Sequence, residues 1–250
     1  MIVRGPREDG GRDLLLVRLL PNLVTLLAVC AGMTGIRFAF TGEFEWAVRM
    51  VLIAGVLDGL DGRLARLMRS QSPVGAELDS LSDFLNFGVA PALILYFWSL
   101  HEIGGIGWIT CLCFALCCVL RLARFNAEAK SGLGGSGAYF TGIPSPAGAV
   151  LALMPMVLSF IAAMPDIFPP TLTALYVVLV GLAMISRMPT FSFKNIRVSR
   201  LNAPFVLLGV VLLGAALLIY PWATLAVLSG VYAVTIALAQ MKRFRKKKED

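Results

Sequence analysis

Long apolar runs alternate with short polar breaks along the whole chain. The runs cover 22–39, 44–66, 76–98, 106–122, 144–164, 172–186, 203–219 and 222–240. A helix rises 1.5 Å per residue, so about 20 apolar residues cross a hydrocarbon layer of about 30 Å. The pattern predicts an all-α, polytopic membrane protein with about eight transmembrane helices. Ahead of the first run, residues 1–13 are polar and carry Arg4, Arg7 and Arg12. Leu14 to Leu20 is apolar around Arg18 and reads as an interfacial helix, with Pro21 opening the first span. Three regions follow: 1–20 as a tail with its interfacial helix, 21–240 as the transmembrane domain, and 241–250 as a basic tail.

Composition strengthens this picture. Hydrophobic residues make up 58% of the chain and charged residues 15%, against about 25% charged in a soluble domain. Mean hydropathy is +0.81, which excludes a soluble fold. The net charge of +7 does not point to nucleic acid, and no nucleic-acid partner is expected. Lys and Arg gather at the N-terminus, after the second, fourth and sixth runs, and at the C-terminus, while the other connections lack them. By the positive-inside rule both termini then face the cytoplasm. The polar N-terminus argues against a cleavable signal peptide. None of the five cysteines shows the C-x2-C pairing of a zinc site, and all five read as packing residues. His101, the single histidine, falls in a short connection and is assigned no chemistry.

One stretch breaks the apolar pattern in a way that demands chemistry. Residues 58–83 read DGLDGRLARLMRSQSPVGAELDSLSD. Asp58 and Asp61 are three apart and share a helix face; Asp79 and Asp83 are four apart and share a face of the next helix. Ser70, Gln71, Ser72, Pro73 and Gly75 lie between them as a turn, so both acid pairs can aim into one gap. Four carboxylates in one gap repel unless cations neutralise them. Hard oxygen ligands select Mg²⁺, Mn²⁺ or Ca²⁺ over zinc. Gly62 and Ala65 leave a helix face bare for a bulky ligand, and Arg66 can fork onto a phosphate. Acids, bare face and arginine together suit a metal-bound pyrophosphate. Charged groups in an apolar setting are costly and usually functional.

The spacing from Asp58 through Asp61, Gly62, Ala65, Arg66, Gly75 and Asp79 to Asp83 resembles the signature of the CDP-alcohol phosphatidyltransferases. That resemblance implies the family's membrane fold and its reaction, transfer of a phosphatidyl group from CDP-diacylglycerol to an alcohol with release of CMP. It implies two divalent cations, Mg²⁺ or Mn²⁺, on Asp58, Asp61 and Asp79, with Asp83 as general base and in some contact with metal. A base that also touches metal is weakened, so Asp83 is expected to be held less tightly than the other three. CDP-diacylglycerol would meet Gly62, Ala65, Arg66 and Gly75. By resemblance Asn22 and Thr25 contact the cytidine, although a helix start with a polar cap explains them equally well. The site would lie at the cytoplasmic side of a bacterial or archaeal membrane. Members of the family are often dimers, which leaves a homodimer as an open expectation.

Asn86 to Ala92 (NFGVAPA), Arg121 to Asn126 (RLARFN) and Phe140 to Ala149 (FTGIPSPAGA) are similar to stretches of the bacterial and archaeal integral-membrane phosphatidylserine synthases. L-serine is the acceptor this implies. Its carboxylate needs a cation, and Arg121 or Arg124 is the candidate; the alternative makes both positive-inside anchors. Asn86, on the acid-bearing face, replaces the family's usual Ser and is a third acceptor candidate. Glycerol 3-phosphate or inositol would keep the chemistry and change the acceptor. A divalent-cation transporter is the alternative from another class.

Overall fold

The computed structural model describes residues 10–68, 72–130, 139–164, 167–186, 189–191 and 203–249. The glycine-rich residues 132–137 and the SFKN stretch near Lys194 lie outside the described residues. The apolar runs fold as helices: α1 Gly10–Phe40, α2 Phe44–Leu67, α3 Pro73–Phe84, α4 Ala90–Trp98, α5 Gly105–Lys130, α6 Ser145–Ala152, α7 Met154–Ala162, α8 Pro170–Ile185, α9 Ala203–Ile219 and α10 Pro221–Glu249. Pro21 lies inside α1 rather than at its start. The stretch read as an interfacial helix is therefore continuous with the first span. Transmembrane helices tolerate such a proline, whose missing N–H leaves the carbonyl one turn back without its helical donor.

The chain is a polytopic integral-membrane protein. Among the described residues, four helices are long and apolar enough to cross a membrane: Leu19–Phe40, Pro73–Trp98, Gly105–Glu128 and Pro221–Leu238. The pair α6 and α7, bent by 42° at Leu153, makes a fifth if it is one span. The expected count of eight is not reached by this measure, for visible reasons. α2 carries Glu45, Arg49, Asp58, Asp61, Arg63 and Arg66, α8 has 16 residues, and the described apolar part of α9 is Leu207–Ile219.

Apolar residues occupy both surfaces of these helices, and the small ones gather on the inner surface. On α5, Ile109, Leu112, Leu116 and Leu120 face outward at helical spacing, while Cys111, Phe114, Cys118 and Leu122 are buried. On α8, Leu172, Leu175, Leu179 and Leu182 face outward while Ala174, Val177, Gly181 and Met184 face inward. Lipid tails solvate leucine as well as a protein core does, so small residues go to helix contacts, where they allow close approach. Gly181 accordingly packs on Cys117, with room for no more than a tight Cβ at 3.3 Å from Sγ. The cysteine expectation holds for Cys111, Cys117 and Cys118, whereas Cys30 is exposed on α1.

Two local features escaped the helical pattern. Between α3 and α4, Leu85–Val89 forms a single π-helical turn closed by the Ala90 N–H on the Leu85 carbonyl. Pro91 follows; it has no N–H for the carbonyl one turn back, which favours a widened turn. Strands β1 (Tyr139–Thr141) and β2 (Pro189–Phe191) pair antiparallel, Phe140 opposite Thr190. This ribbon joins the α5–α6 connection to the α8–α9 connection without altering the all-α class.

Candidate active site

The site forms where three helix segments meet: the Pro21–Thr25 turn of α1, the C-terminal half of α2 and the first turns of α3. α3 starts sharply. Ser72 is its N-cap, accepting the Gly75 N–H at 3.0 Å, and Pro73 takes the first helical position, where a missing N–H costs nothing. Gly75 is thus in the first turn of α3 rather than in a loop. A Cβ there would stand 2.9 Å from Asn22 Oδ1 and 3.1 Å from Ser72 Oγ. The glycine leaves room there for the Asn22 side chain of α1.

The acids converge as their spacing requires. Asp58, Asp61 and Asp79 each offer a carboxylate oxygen, and the three atoms lie within 4.8 Å of one another. Asp83 is not in that group but lies beside Asp58. At such separations each ionised pair repels by about 3–4 kcal/mol, taking an effective dielectric of about 20. Three buried atoms, Oδ1 of Asp58, Asp61 and Asp83, meet no hydrogen-bond donor. Stranded carboxylate oxygens at close range, in an all-oxygen donor set, fit a hard divalent cation. Asp58, Asp61 and Asp79 are the residues that would hold it.

One acid is braced from outside the motif. The Thr25 hydroxyl lies 2.5 Å from Asp61 Oδ2. Beside it opens a cavity of about 280 Å³ lined by Asn22, Thr25, Asp61, Gly62, Ala65, Arg66, Ser72, Gly75 and Asp79, among others. Every residue expected to meet the nucleotide lines this cavity. A Cβ on Gly62 would meet nothing within 4 Å, so the bare helix face opens onto free space.

The acceptor candidates are placed differently from one another. Asn86 is fully buried in the π-helical turn. Its Nδ2 donates to Ser82 Oγ at 3.1 Å, its Oδ1 lacks a partner, and the side chain rests against Gly32 of α1. Arg124 donates Nη1 to the Ile185 carbonyl at 2.8 Å, closing the end of α8. Arg121 is half-buried, within electrostatic range of Asp83, and donates Nη1 to Ser145 Oγ at 2.7 Å. Sequence reasoning missed Ser145 and Tyr232, whose buried hydroxyl belongs to α10. It also missed Ser80, which accepts Asn126 Nδ2 at 2.9 Å and ties α5 to α3. Neighbours on separate helices leave no local signal; Ser145 alone stood in a stretch already marked, SPAGA.

Comparison with known proteins bears on this arrangement. Residues 18–188 match the family described as CDP-alcohol phosphatidyltransferase. A CDP-diacylglycerol–serine O-phosphatidyltransferase of Mycobacterium tuberculosis (strain ATCC 25618 / H37Rv) is 46% identical over 147 residues, 58% of this chain and 50% of the relative. The chain thus spans about half the length of that curated relative. A protein of the same name from Helicobacter pylori (strain ATCC 700392 / 26695) is 35% identical over 217 residues, 86% of this chain and 88% of the relative. An archaetidylserine synthase of Methanothermobacter thermautotrophicus is 36% identical over 133 residues, 52% of this chain and 54% of the relative.

Proposed function

The chain belongs to the CDP-alcohol phosphatidyltransferase family, and from that premise we propose that it makes a phosphatidylserine-type lipid from CDP-diacylglycerol and L-serine. The observation that carries the reading is the pairing of stranded carboxylate oxygens with an adjoining cavity. Asp58, Asp61 and Asp83 have buried oxygens without donors, and the cavity beside them is lined by Asn22, Thr25, Gly62, Ala65, Arg66 and Gly75. The printed names of the mycobacterial and Helicobacter relatives support serine as the acceptor.

In this reading the cytidine and pyrophosphate occupy the cavity and the acyl chains remain in the bilayer. Arg66 lies against the phosphates with its forked donors, and Asn22 turns its amide toward the nucleotide. Two divalent cations, Mg²⁺ or Mn²⁺, held mainly by Asp58, Asp61 and Asp79, would offset the pyrophosphate charge and polarise the reacting phosphorus. Asp83 accepts the proton of the serine hydroxyl. The serine oxygen bonds to the phosphorus that bears diacylglycerol, and the bond from that phosphorus to the bridging oxygen breaks. CMP leaves with the electron pair. Thr25 holds Asp61 in place through its hydroxyl. Arg121, on the Asp83 side, binds the serine carboxylate, while Arg124 is occupied at the end of α8. The basic connections at this end of the bundle support a site at the cytoplasmic face, where nucleotide and metal are available.

The test is CMP release by the purified full chain with CDP-diacylglycerol and Mg²⁺ or Mn²⁺, offering L-serine, glycerol 3-phosphate, inositol or choline in turn. Release with serine alone is expected. Release with a different acceptor would keep the mechanism and replace the acceptor; no release from folded protein would end the enzymatic reading.

A further inference from the structure

The polar groups this reading leaves over gather around Arg121. Its Nη1 is used by Ser145, but Nε is buried and meets no acceptor. The hydroxyl of Tyr232, on α10, is buried and equally without a partner, and the residue is within electrostatic range of Arg121. Asp83, whose buried Oδ1 is also unpartnered, is within electrostatic range of Arg121 as well. A buried donor or acceptor without a partner is costly, and native interiors contain few of them. Among the described residues, two donors and one acceptor of this kind fall in one neighbourhood. A small molecule with an anion at one end and a hydroxyl at the other would satisfy all three.

We infer that Tyr232 is an acceptor-binding residue: its hydroxyl and Arg121 Nε together hold the carboxylate of the amino-acid acceptor, whose own hydroxyl points to Asp83. The inference rests on the reading of the chain as a serine phosphatidyltransferase. It adds a residue that the family match, ending at residue 188, does not reach. Tyr232 packs its ring against the apolar core, which leaves the hydroxyl as the part free to meet a ligand. A carboxylate has lone pairs for both donors, and a hydrogen bond to a charged group is the stronger kind. The last helix would thereby close the acceptor end of the site, and binding of the acceptor would depend on α10 being docked.

The experiment compares wild type with Tyr232→Phe on two acceptors, L-serine and L-serinamide, which keeps the hydroxyl and amine but lacks the carboxylate. Loss of a hydrogen bond to a charged group should raise KM for L-serine about ten- to hundredfold. KM for CDP-diacylglycerol should stay at the wild-type value, and for L-serinamide the two proteins should match. An unchanged KM for L-serine, or an equal rise for both acceptors, would overturn the inference, because a structural role makes no distinction between them. If Tyr232→Phe gives no folded protein, wild type alone decides: use of L-serinamide as readily as L-serine overturns the carboxylate contact, and strong preference for L-serine supports it. Wild type that uses L-serine while Tyr232→Phe is unaffected sinks only this inference; wild type inactive with L-serine sinks the reading beneath it.

Discussion

Thr25→Val keeps the shape of a side chain and deletes one hydroxyl. In the wild type that hydroxyl lies 2.5 Å from Asp61 Oδ2, joining helices whose residues are 36 apart in sequence. Thr25 is 4% exposed and Asp61 3%; both line the cavity, so water entering it sets the lower end of the expected loss. Asp61 Oδ1 is already without a partner, so among the described residues the Thr25 hydroxyl is the donor this carboxylate depends on. A hydrogen bond to a charged group contributes about 1.5–3 kcal/mol. At about 2–4 °C per kcal/mol for a chain of this size, the metal-free variant should melt roughly 3–12 °C below wild type. Thermal unfolding followed by intrinsic fluorescence in detergent with EDTA reads this directly. Thr25→Ser keeps the donor and should stay near wild type. Adding Mg²⁺ should narrow the Val deficit, since a cation at Asp61 supplies the neutralisation that the hydroxyl gave. If Val and Ser both melt with wild type in EDTA, the hydroxyl does not support Asp61 and the reasoning fails.

Three further outcomes are expected. Gly75→Ala puts a Cβ 2.9 Å from Asn22 Oδ1; the amide can swing away, and alanine favours the helix by up to about 1 kcal/mol. Kinetics and melting should therefore show a higher KM for CDP-diacylglycerol without loss of stability. Gly32→Ala drives a Cβ into Asn86 Oδ1, close to the Asn86 backbone, and this overpacking should cost about 1–3 kcal/mol, read as a lower melting temperature. Chelation of divalent cations should stop CMP release, and Mg²⁺ or Mn²⁺ should restore it; full activity in EDTA would show that the carboxylates serve another purpose.

The acid quartet was legible because its spacing is helical and its surroundings are apolar. Two pairs at i,i+3 and i,i+4, separated by a Ser-Pro helix start, could land together only if the chain reversed between them, and it does. Asn86 shows where the argument stops. It lies three residues after Asp83 and four after Ser82, and its side chain donates to Ser82 and rests against Gly32 of α1, a neighbour on another helix that spacing alone does not reveal. Pro91 was visible in the sequence, yet a proline permits a widened turn without requiring one. Gly75 was read as a turn residue; only the nearness of Asn22 on another helix reveals its purpose. The expected count of eight spans is not confirmed: among the described residues four or five meet the length and hydropathy of a span, and α2 carries six charged residues. Arg121 and Arg124 look alike in sequence, and only the partners on α6 and α8 separate them.

Asp83→Asn is nearly isosteric and removes the proton acceptor from the centre of the proposed reaction. The measurement is serine-dependent CMP release by wild type and variant, with binding of CDP-diacylglycerol followed separately. General base catalysis is worth about 10²–10⁴ in rate. The account predicts a loss of that size in the variant, with CDP-diacylglycerol still bound. Serine-dependent release near the wild-type rate would contradict it.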